Sequence, residues 1–225
     1  MSAATTVVAV LTLVLALGLL ALERGGGGGP KEMALVATLG AAAAAGRVFF
    51  SPIPGVQPVT ITCLVTGAAL GPRAGLVVGP LAGLLSNSFL GQGPWTPAQM
   101  ALWGAAGLSG AALGAVCRNR YGLAVVGFAW GMAFGWGMNI WFLASFGPEL
   151  NWAAVTLSGG RSLPFDLAHA IGNSLLALVA GPALVRLLGR YALRVRTEVV
   201  IPARAPAPVP GGRPRHGPPA PAPPS

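Results

Sequence analysis

Charged side chains are scarce in this chain of 225 residues, which carries 5 acidic and 14 basic residues. They make up 8% of the sequence, whereas about a quarter of an ordinary soluble domain is charged. No charge occurs at residues 48–72, 74–117 or 121–148. Because a charge at the centre of a bilayer costs about 3 kcal/mol, such stretches are typical of transmembrane segments. The scarcity leaves no room for a soluble catalytic domain of any size.

Cysteine and lysine are also rare, and the motifs that depend on them are missing. Cys63 and Cys117 lie in or at the end of apolar segments, which indicates small packed residues rather than a disulfide or metal framework. The single lysine, Lys31, follows Pro30, so the chain lacks a Walker A phosphate cradle. No Ser-His-Asp spacing, His-Glu-x-x-His or Cys-x-x-Cys motif occurs. We therefore expect no catalytic residues, no bound metal and no cofactor.

The apolar runs predict seven transmembrane helices. They lie near residues 6–22, 33–49, 57–71, 74–90, 98–117, 121–146 and 165–187. The third and fourth are short and meet at Gly71-Pro72-Arg73, which predicts a tight helical hairpin. The predicted fold class is an all-α membrane protein, in which a six-helix bundle is preceded by one extra N-terminal transmembrane helix.

Composition divides the chain into four segments. Residues 1–24 hold the extra helix, 25–32 a Gly-rich linker, 33–196 the six-helix core, and 197–225 a disordered cytoplasmic tail rich in Pro, Ala and Arg. No basic residue precedes the first apolar run and no clear cleavage site precedes Glu23. A retained helix is therefore favoured over a signal peptide.

The basic residues fall mainly on one side of the predicted spans. Arg186, Arg190, Arg194 and Arg196 follow the last span, which predicts a cytoplasmic C-terminus. Alternation then places Arg24, Lys31, Arg73, Arg118 and Arg120 on the cytoplasmic side as well. Arg47 and Arg161 fall outside. The net charge of +9 thus indicates the orientation of a multi-pass cell-membrane protein rather than binding to nucleic acid.

Polar side chains collect at the predicted outer ends of the spans. On the last span, Asp166, His169 and Asn173 are spaced i, i+3 and i+7, which places them on one helix face. Arg47, at the outer end of the second span, is the expected countercharge for Asp166. The alternative is a structural ion pair at the membrane surface.

Aromatic residues and amides add to this outer end. Trp95 lies in the compact connection at residues 91–97, where it suits either stacking on a ligand or the membrane interface. The sixth span contributes Trp136, Asn139 and Trp141. A pocket of this kind fits an organic ligand better than a bare ion, and an aromatic belt is the competing interpretation.

Several motifs carry a family resemblance: Arg47 with PIPGVQPVT at 52–60, TG at 66–67, GPRAG at 71–75, SN at 86–87 and GQGPWTPAQM at 91–100. From Lys31 to about Leu113 the chain resembles the substrate-binding (S) components of energy-coupling factor (ECF) transporters, the vitamin-uptake relatives of ABC importers. The last motif is the most specific, because it is long and unlike generic apolar sequence. Within this family, the chain most resembles the subgroup that includes proposed cobalamin S components. The similarity covers a little over a third of the chain.

The resemblance implies a six-helix bundle whose ligand site opens to the outside and is covered by two loops, here residues 47–58 and 91–97. It also implies a small-residue surface on the first core helix for a transmembrane coupling subunit, matched by Ala37 and Ala41 with Ala45 extending the line. Such a stripe allows close helix approach. Two cytoplasmic ATPase subunits would supply the energy, which agrees with the missing Walker motif. The extra N-terminal helix departs from the family pattern.

The leading hypothesis is an S component that captures a vitamin-like small molecule, with cobalamin as the first candidate and riboflavin or another small vitamin as the next. The predicted substrate-binding residues are Arg47, Gln57, Asn87, Gln92, Trp95, Trp136, Asn139, Asp166, His169 and Asn173. A metal ion is disfavoured as substrate, because cobalt and nickel S components usually begin with a histidine-bearing N-terminus. The alternatives are a non-transporting membrane scaffold or assembly protein, which would use the alanine stripe to hold a partner, and a polytopic membrane enzyme.

Overall fold

The computed structural model describes residues 30–147 and 150–196, with side chains up to residue 192 in the last segment. Three predicted features lie outside the described residues: the N-terminal helix at 1–24, the glycine run at 25–29 and the tail at 197–225. Within the described ranges the chain is all-helical, with no strand. The helices are α1 Pro30–Phe49, α2 Val59–Leu70, α3 Pro72–Leu90, α4 Trp95–Ala112, α5 Gly114–Cys117, α6 Arg120–Phe146, α7 Trp152–Val179 and α8 Gly181–Arg196.

Three of these helices, α1, α6 and α7, are long and apolar enough to cross a membrane. They contain 20, 27 and 28 residues. An α-helix rises about 1.5 Å per residue, so each reaches the roughly 30 Å of a bilayer core. Length and composition therefore indicate a membrane-embedded protein.

Helix α2 lies at the centre of the bundle and buries nine of its 12 residues. A helix that is apolar all round needs neighbours on every side, and α2 packs against α3, α4 and α8 with further contacts to α1, α6 and α7. The loop at residues 50–58 leads into its N-terminus. This loop lies on α7, because a Cβ added to Gly55 would come within 2.8 Å of the Ala168 Cβ. Gly55 adopts φ 77°, which favours glycine.

Two rows of glycines allow helices to pack in close pairs, α3 with α4 and α6 with α7. Each repeats every four residues: Gly75, Gly79 and Gly83 on α3, and Gly127, Gly131 and Gly135 on α6. A Cβ on Gly79 would lie 2.6 Å from the Cβ of Trp103 on α4. A Cβ on Gly131 would overlap the backbone of Ala170 on α7. Small residues at this spacing let helix backbones approach closely in apolar surroundings.

The turns agree with their local sequence. Gly71 adopts φ 100°, which allows α2 and α3 to be joined by a single residue, and Pro72 then opens α3. Asn119 caps α6 by accepting hydrogen bonds from the backbone N–H groups of Tyr121 and Gly122. Asn151 caps α7 by accepting from the N–H of Ala154.

The last predicted span, residues 165–187, differs most from the structure. Helix α7 begins 13 residues earlier, at Trp152, ends at Val179, and is followed by the separate helix α8. Pro182 has no N–H to continue α7 and favours a break there. Arg161, exposed on α7, and Pro164 within it make the first half of the helix look like a loop. The predicted span at 98–117 likewise divides into α4 and the short α5.

Candidate functional site

Arg47 is a buried cation in the last turn of α1, and its side chain is 7% exposed. Its Nη1 donates hydrogen bonds to Oγ of Ser86, at 2.7 Å, and to Oδ1 of Asn87. Its Nε donates to Oε1 of Gln57 at 3.2 Å. All three acceptors are neutral, and they come from α3 and from the loop at 50–58.

Further hydrogen bonds extend from Asn87 to the residues that connect α3 and α4 and to the start of α4. Nδ2 of Asn87 donates to Oγ1 of Thr96 and to Oε1 of Gln99, both at 2.9 Å. Oγ1 of Thr96 in turn donates to Oε1 of Gln92 at 2.9 Å. We call the residues Arg47, Gln57, Ser86, Asn87, Thr96 and Gln99 the arginine network.

An aromatic column extends from Arg47 across the bundle. The Cζ of Arg47 lies 5.1 Å from the centroid of the Trp103 ring, a distance suited to a cation–π contact. Trp103 stacks on Phe134 with centroids 4.9 Å apart, and Phe134 stacks on His169 at 5.3 Å. Thr60 links the two ends of the stack, because its hydroxyl accepts from Nε1 of Trp103 and hydrogen-bonds with Nε2 of His169. Five helices therefore meet at this point.

A second polar cluster lies between α6 and α7. Nδ2 of Asn139 donates to Oγ of Ser162 at 2.7 Å, and this hydroxyl donates to Oδ2 of Asp166 at 2.7 Å. The Asp166 carboxylate rests against the backbone of Gly135, where any added Cβ would overlap it. Asp166 is 5% exposed. A buried carboxylate in an apolar bundle marks a candidate functional group.

The expected ion pair between Arg47 and Asp166 does not form. The guanidinium turns toward Ser86 and Asn87 on α3, and the carboxylate accepts its hydrogen bond from Ser162 on its own helix. The physical reason is the aromatic column, which places Trp103 against Arg47 and Phe134 against α7. The two opposite charges therefore belong to separate clusters.

The predicted trio on α7 shares a buried face but not a single set of contacts. Asp166 belongs to the Ser162 cluster and His169 to the aromatic column. Asn173 is fully buried one turn further on, where its Nδ2 donates to the carbonyl oxygen of Gly127 at 3.2 Å. Its Oδ1 has no hydrogen-bond partner within the described chain.

The predicted tryptophans and Gln92 lie nearer the surface. Trp95 is 40% exposed and covers Gly93, whereas Trp136 is 38% exposed and packs against Gly159. Gln92 is exposed and donates to the carbonyl oxygen of Leu84 at 2.9 Å. Through its own oxygen Gln92 reaches the arginine network at Thr96, and Trp136 joins neither cluster.

Sequence reasoning missed several residues of the site. They are Thr60, Ser86, Thr96, Gln99, Trp103, Phe134 and Ser162. Two signals were available. Thr60, Ser86, Thr96 and Gln99 belong to the motifs that carry the family resemblance. Thr96, Gln99 and Trp103 are also spaced i, i+3 and i+7, which places them on one face of α4. Phe134 carried no comparable signal, because an aromatic residue in an apolar span is as often simply packed.

The alanine stripe forms part of the exposed face of α1. Ala37, Ala41 and Ala45 are all exposed, and the opposite face buries residues such as Val36 and Ala43. No side chain larger than a methyl group projects at these three positions. Another helix can therefore approach the α1 backbone closely there.

No protein-family model, curated protein or solved structure matches this chain. Fold alone does not imply function, so the chemistry of the site has to be read from its residues. The arginine network offers one permanent cation with amides and hydroxyls beside an aromatic column. Such groups orient polar organic molecules in largely apolar pockets. Among the described residues, no group of three or more His, Cys, Asp or Glu is arranged to hold a metal ion.

Proposed function

We propose that the protein is the S component of an ECF-type ABC importer. In this role it captures a vitamin-like small molecule at the end of the bundle that holds Arg47 and releases it on the other side. A transmembrane coupling subunit and two cytoplasmic ATPase subunits provide the energy. The end with Arg47 faces outward across the cell membrane, and the C-terminus is cytoplasmic.

One observation carries the proposal: residues of three separate motifs meet in the arginine network. Arg47, Gln57, Asn87 and Gln99 are up to 52 positions apart in the sequence and are joined by consecutive hydrogen bonds. Burying polar groups in an apolar bundle is costly, and a core needs none for packing. A network built at this expense is typical of a binding site.

The two loops expected to cover the ligand both take part. The loop at 50–58 supplies Gln57, and the connection at 91–97 supplies Gln92 and Thr96. Gln57 and Gln99 are half-buried, whereas Asn87 is fully enclosed. A ligand that reaches the network from the loops would therefore meet the two glutamines first.

The exposed alanine stripe supports the assignment of the partner. Ala37, Ala41 and Ala45 offer the coupling subunit a flat surface that no residue of the described chain covers. This same surface favours the second candidate, a non-transporting scaffold that uses the stripe to hold another membrane protein. The scaffold differs in requiring no ligand at the arginine network.

A binding experiment separates the two candidates. The protein is purified in detergent with its membrane partners, bound small molecules are identified by mass spectrometry, and affinities for cobalamin and riboflavin are measured. We expect a vitamin-like compound, together with co-purification of a coupling subunit and two ATPases. If no vitamin-like compound binds at high micromolar concentration and no ATPase is recovered, the transporter assignment is wrong.

Two neighbouring substitutions provide the matched test of the site. Asn87→Ala removes the amide that joins Arg47 to Thr96 and Gln99, and we expect it to weaken ligand binding at least about tenfold. Ser88→Ala removes an exposed hydroxyl one position along α3 and should leave affinity unchanged. Equal affinities for the two variants would place the ligand elsewhere.

A further inference from the structure

Arg47 carries a charge that no acidic side chain of the described residues balances. A guanidinium stays protonated in proteins, so burial cannot neutralise it. Its partners are the neutral oxygens of Gln57, Ser86 and Asn87, and no carboxylate of the described residues lies within 4 Å. Buried charges are normally paired. The arginine network therefore lacks a negative charge.

The guanidinium of Arg47 also has N–H groups that form no hydrogen bond with the described residues. Nε and Nη1 are engaged, whereas Nη2 forms no hydrogen bond with any described residue. One face of the guanidinium is covered by Trp103, which is fully buried. Two N–H groups on Nη2 remain for an acceptor that the described chain does not provide.

Arg47 also fixes the direction of the amides around it. Because arginine can only donate, Gln57 must turn its oxygen toward Nε, and Asn87 must turn its oxygen toward Nη1. The NH₂ group of Asn87 then requires the oxygen of Gln99. The NH₂ groups of Gln57 and Gln99 are thereby left without acceptors among the described residues. Both side chains are half-buried, on the approach to the arginine.

We propose that the arginine network is an anion site, and that the ligand presents a carboxylate or phosphate group to Nη2 of Arg47 with the amides of Gln57 and Gln99 as additional donors. This inference rests on the proposed function for the identity of the ligand as a small transported solute. The charge requirement follows from the network itself. A network that has surplus donors and an unbalanced cation selects an anionic oxygen group over a neutral one.

Matched pairs of compounds test the charge requirement directly. The full chain is purified in phosphate-free detergent buffer, and affinities are measured for nicotinate against nicotinamide, biotin against biotinamide, and pantothenate against panthenol. Inorganic phosphate is included as the simplest probe of the site. We expect at least one acid to bind about tenfold or more tightly than its neutral partner, as for a hydrogen bond between charged groups.

Variants test whether Arg47 causes the preference for acids over neutral compounds. Arg47→Gln should abolish it, and Arg47→Lys should restore part of it, because a lysine keeps the charge but not the planar fork. Arg161→Gln is the matched control, since it removes the same charge from an exposed position on α7. The preference should survive this change.

A further variant keeps the proposal testable if Arg47→Gln fails to fold. Gln57→Glu places a carboxylate against Nε of Arg47 and supplies the missing charge from within the chain. We expect it to raise the thermal stability of the free protein and to remove the preference for acids. Unchanged stability with a retained preference would overturn the proposal.

Three other results would also overturn it: neutral partners binding as tightly as acids, a preference that persists in Arg47→Gln, or no binding of any acid or phosphate. Nanodiscs of phosphatidylcholine with and without phosphatidylglycerol distinguish the source of the anion. Stabilisation that depends on Arg47 and on phosphatidylglycerol alone would retain the anion site but overturn its assignment to a solute. Binding of acids by a chain that recruits no ATPase would refute the transporter and leave the anion site standing.

Discussion

Gly79→Ala tests the close packing that brings α3 and α4 together beneath the arginine network. A Cβ at Gly79 would lie 2.6 Å from both the Cβ and the carbonyl carbon of Trp103. Ordinary carbon contacts begin near 3.4 Å, so the helices have to separate by about 0.8 Å or the Trp103 segment has to shift by as much. Overpacking of this kind costs about 1–3 kcal/mol, and the better helix propensity of alanine returns less than about 1 kcal/mol.

The expected net loss is about 1–2 kcal/mol, which for a chain of this length corresponds to a melting temperature lower by about 2–8 °C. The assay is thermal unfolding in detergent, followed by tryptophan fluorescence. Gly160→Ala is the matched control, because a Cβ there meets nothing within 4 Å. The control should be neutral or slightly stabilising. If Gly79→Ala melts at or above the temperature of Gly160→Ala, the reasoning from close approach is wrong.

Three further changes test other parts of the structure. Thr60→Val keeps the side-chain volume at a fully buried position but removes the hydroxyl that hydrogen-bonds with Trp103 and His169, and we expect a loss of about 1–3 kcal/mol in unfolding measurements, with a neutral result contradicting these contacts. Gly135→Ala should displace the Asp166 carboxylate and weaken ligand binding, which titration of the variant would show; unchanged affinity would separate Asp166 from the site. Ala41→Leu should block co-purification of the coupling subunit while stability stays within about 0.5 kcal/mol, and recovery of the intact complex would refute the proposed surface.

The sequence predicted the helices well where charge marks their ends. Arg73 lies in the first turn of α3, Arg118 directly follows α5, and Arg120 begins α6, so uncharged runs and helices overlap there. The same rule failed on α7, because Arg161 and Pro164 lie inside that helix. A helix interior tolerates an arginine where the side chain is exposed, and this exposure depends on the neighbouring helices. The position of a charged residue in the sequence does not show whether its side chain is exposed.

The sequence predicted which helix face carries the polar residues of α7, but not which residues they contact. Helical spacing correctly places Asp166, His169 and Asn173 on one buried face of α7. Spacing does not say which helix that face meets, and the expected Arg47 to Asp166 pair depended on this. Trp103 was missed because its role depends on lying between Arg47 and Phe134, which are 87 positions apart in the sequence.

The shortness of α2 explains how polar groups reach the interior of an apolar bundle. At 12 residues it covers about 18 Å, which is less than a bilayer core. The loop at 50–58 leads into it, and its Gly55 rests on the backbone of α7 beside His169. Gln57 and Thr60, on either side of the start of α2, thereby reach Arg47 and the aromatic column.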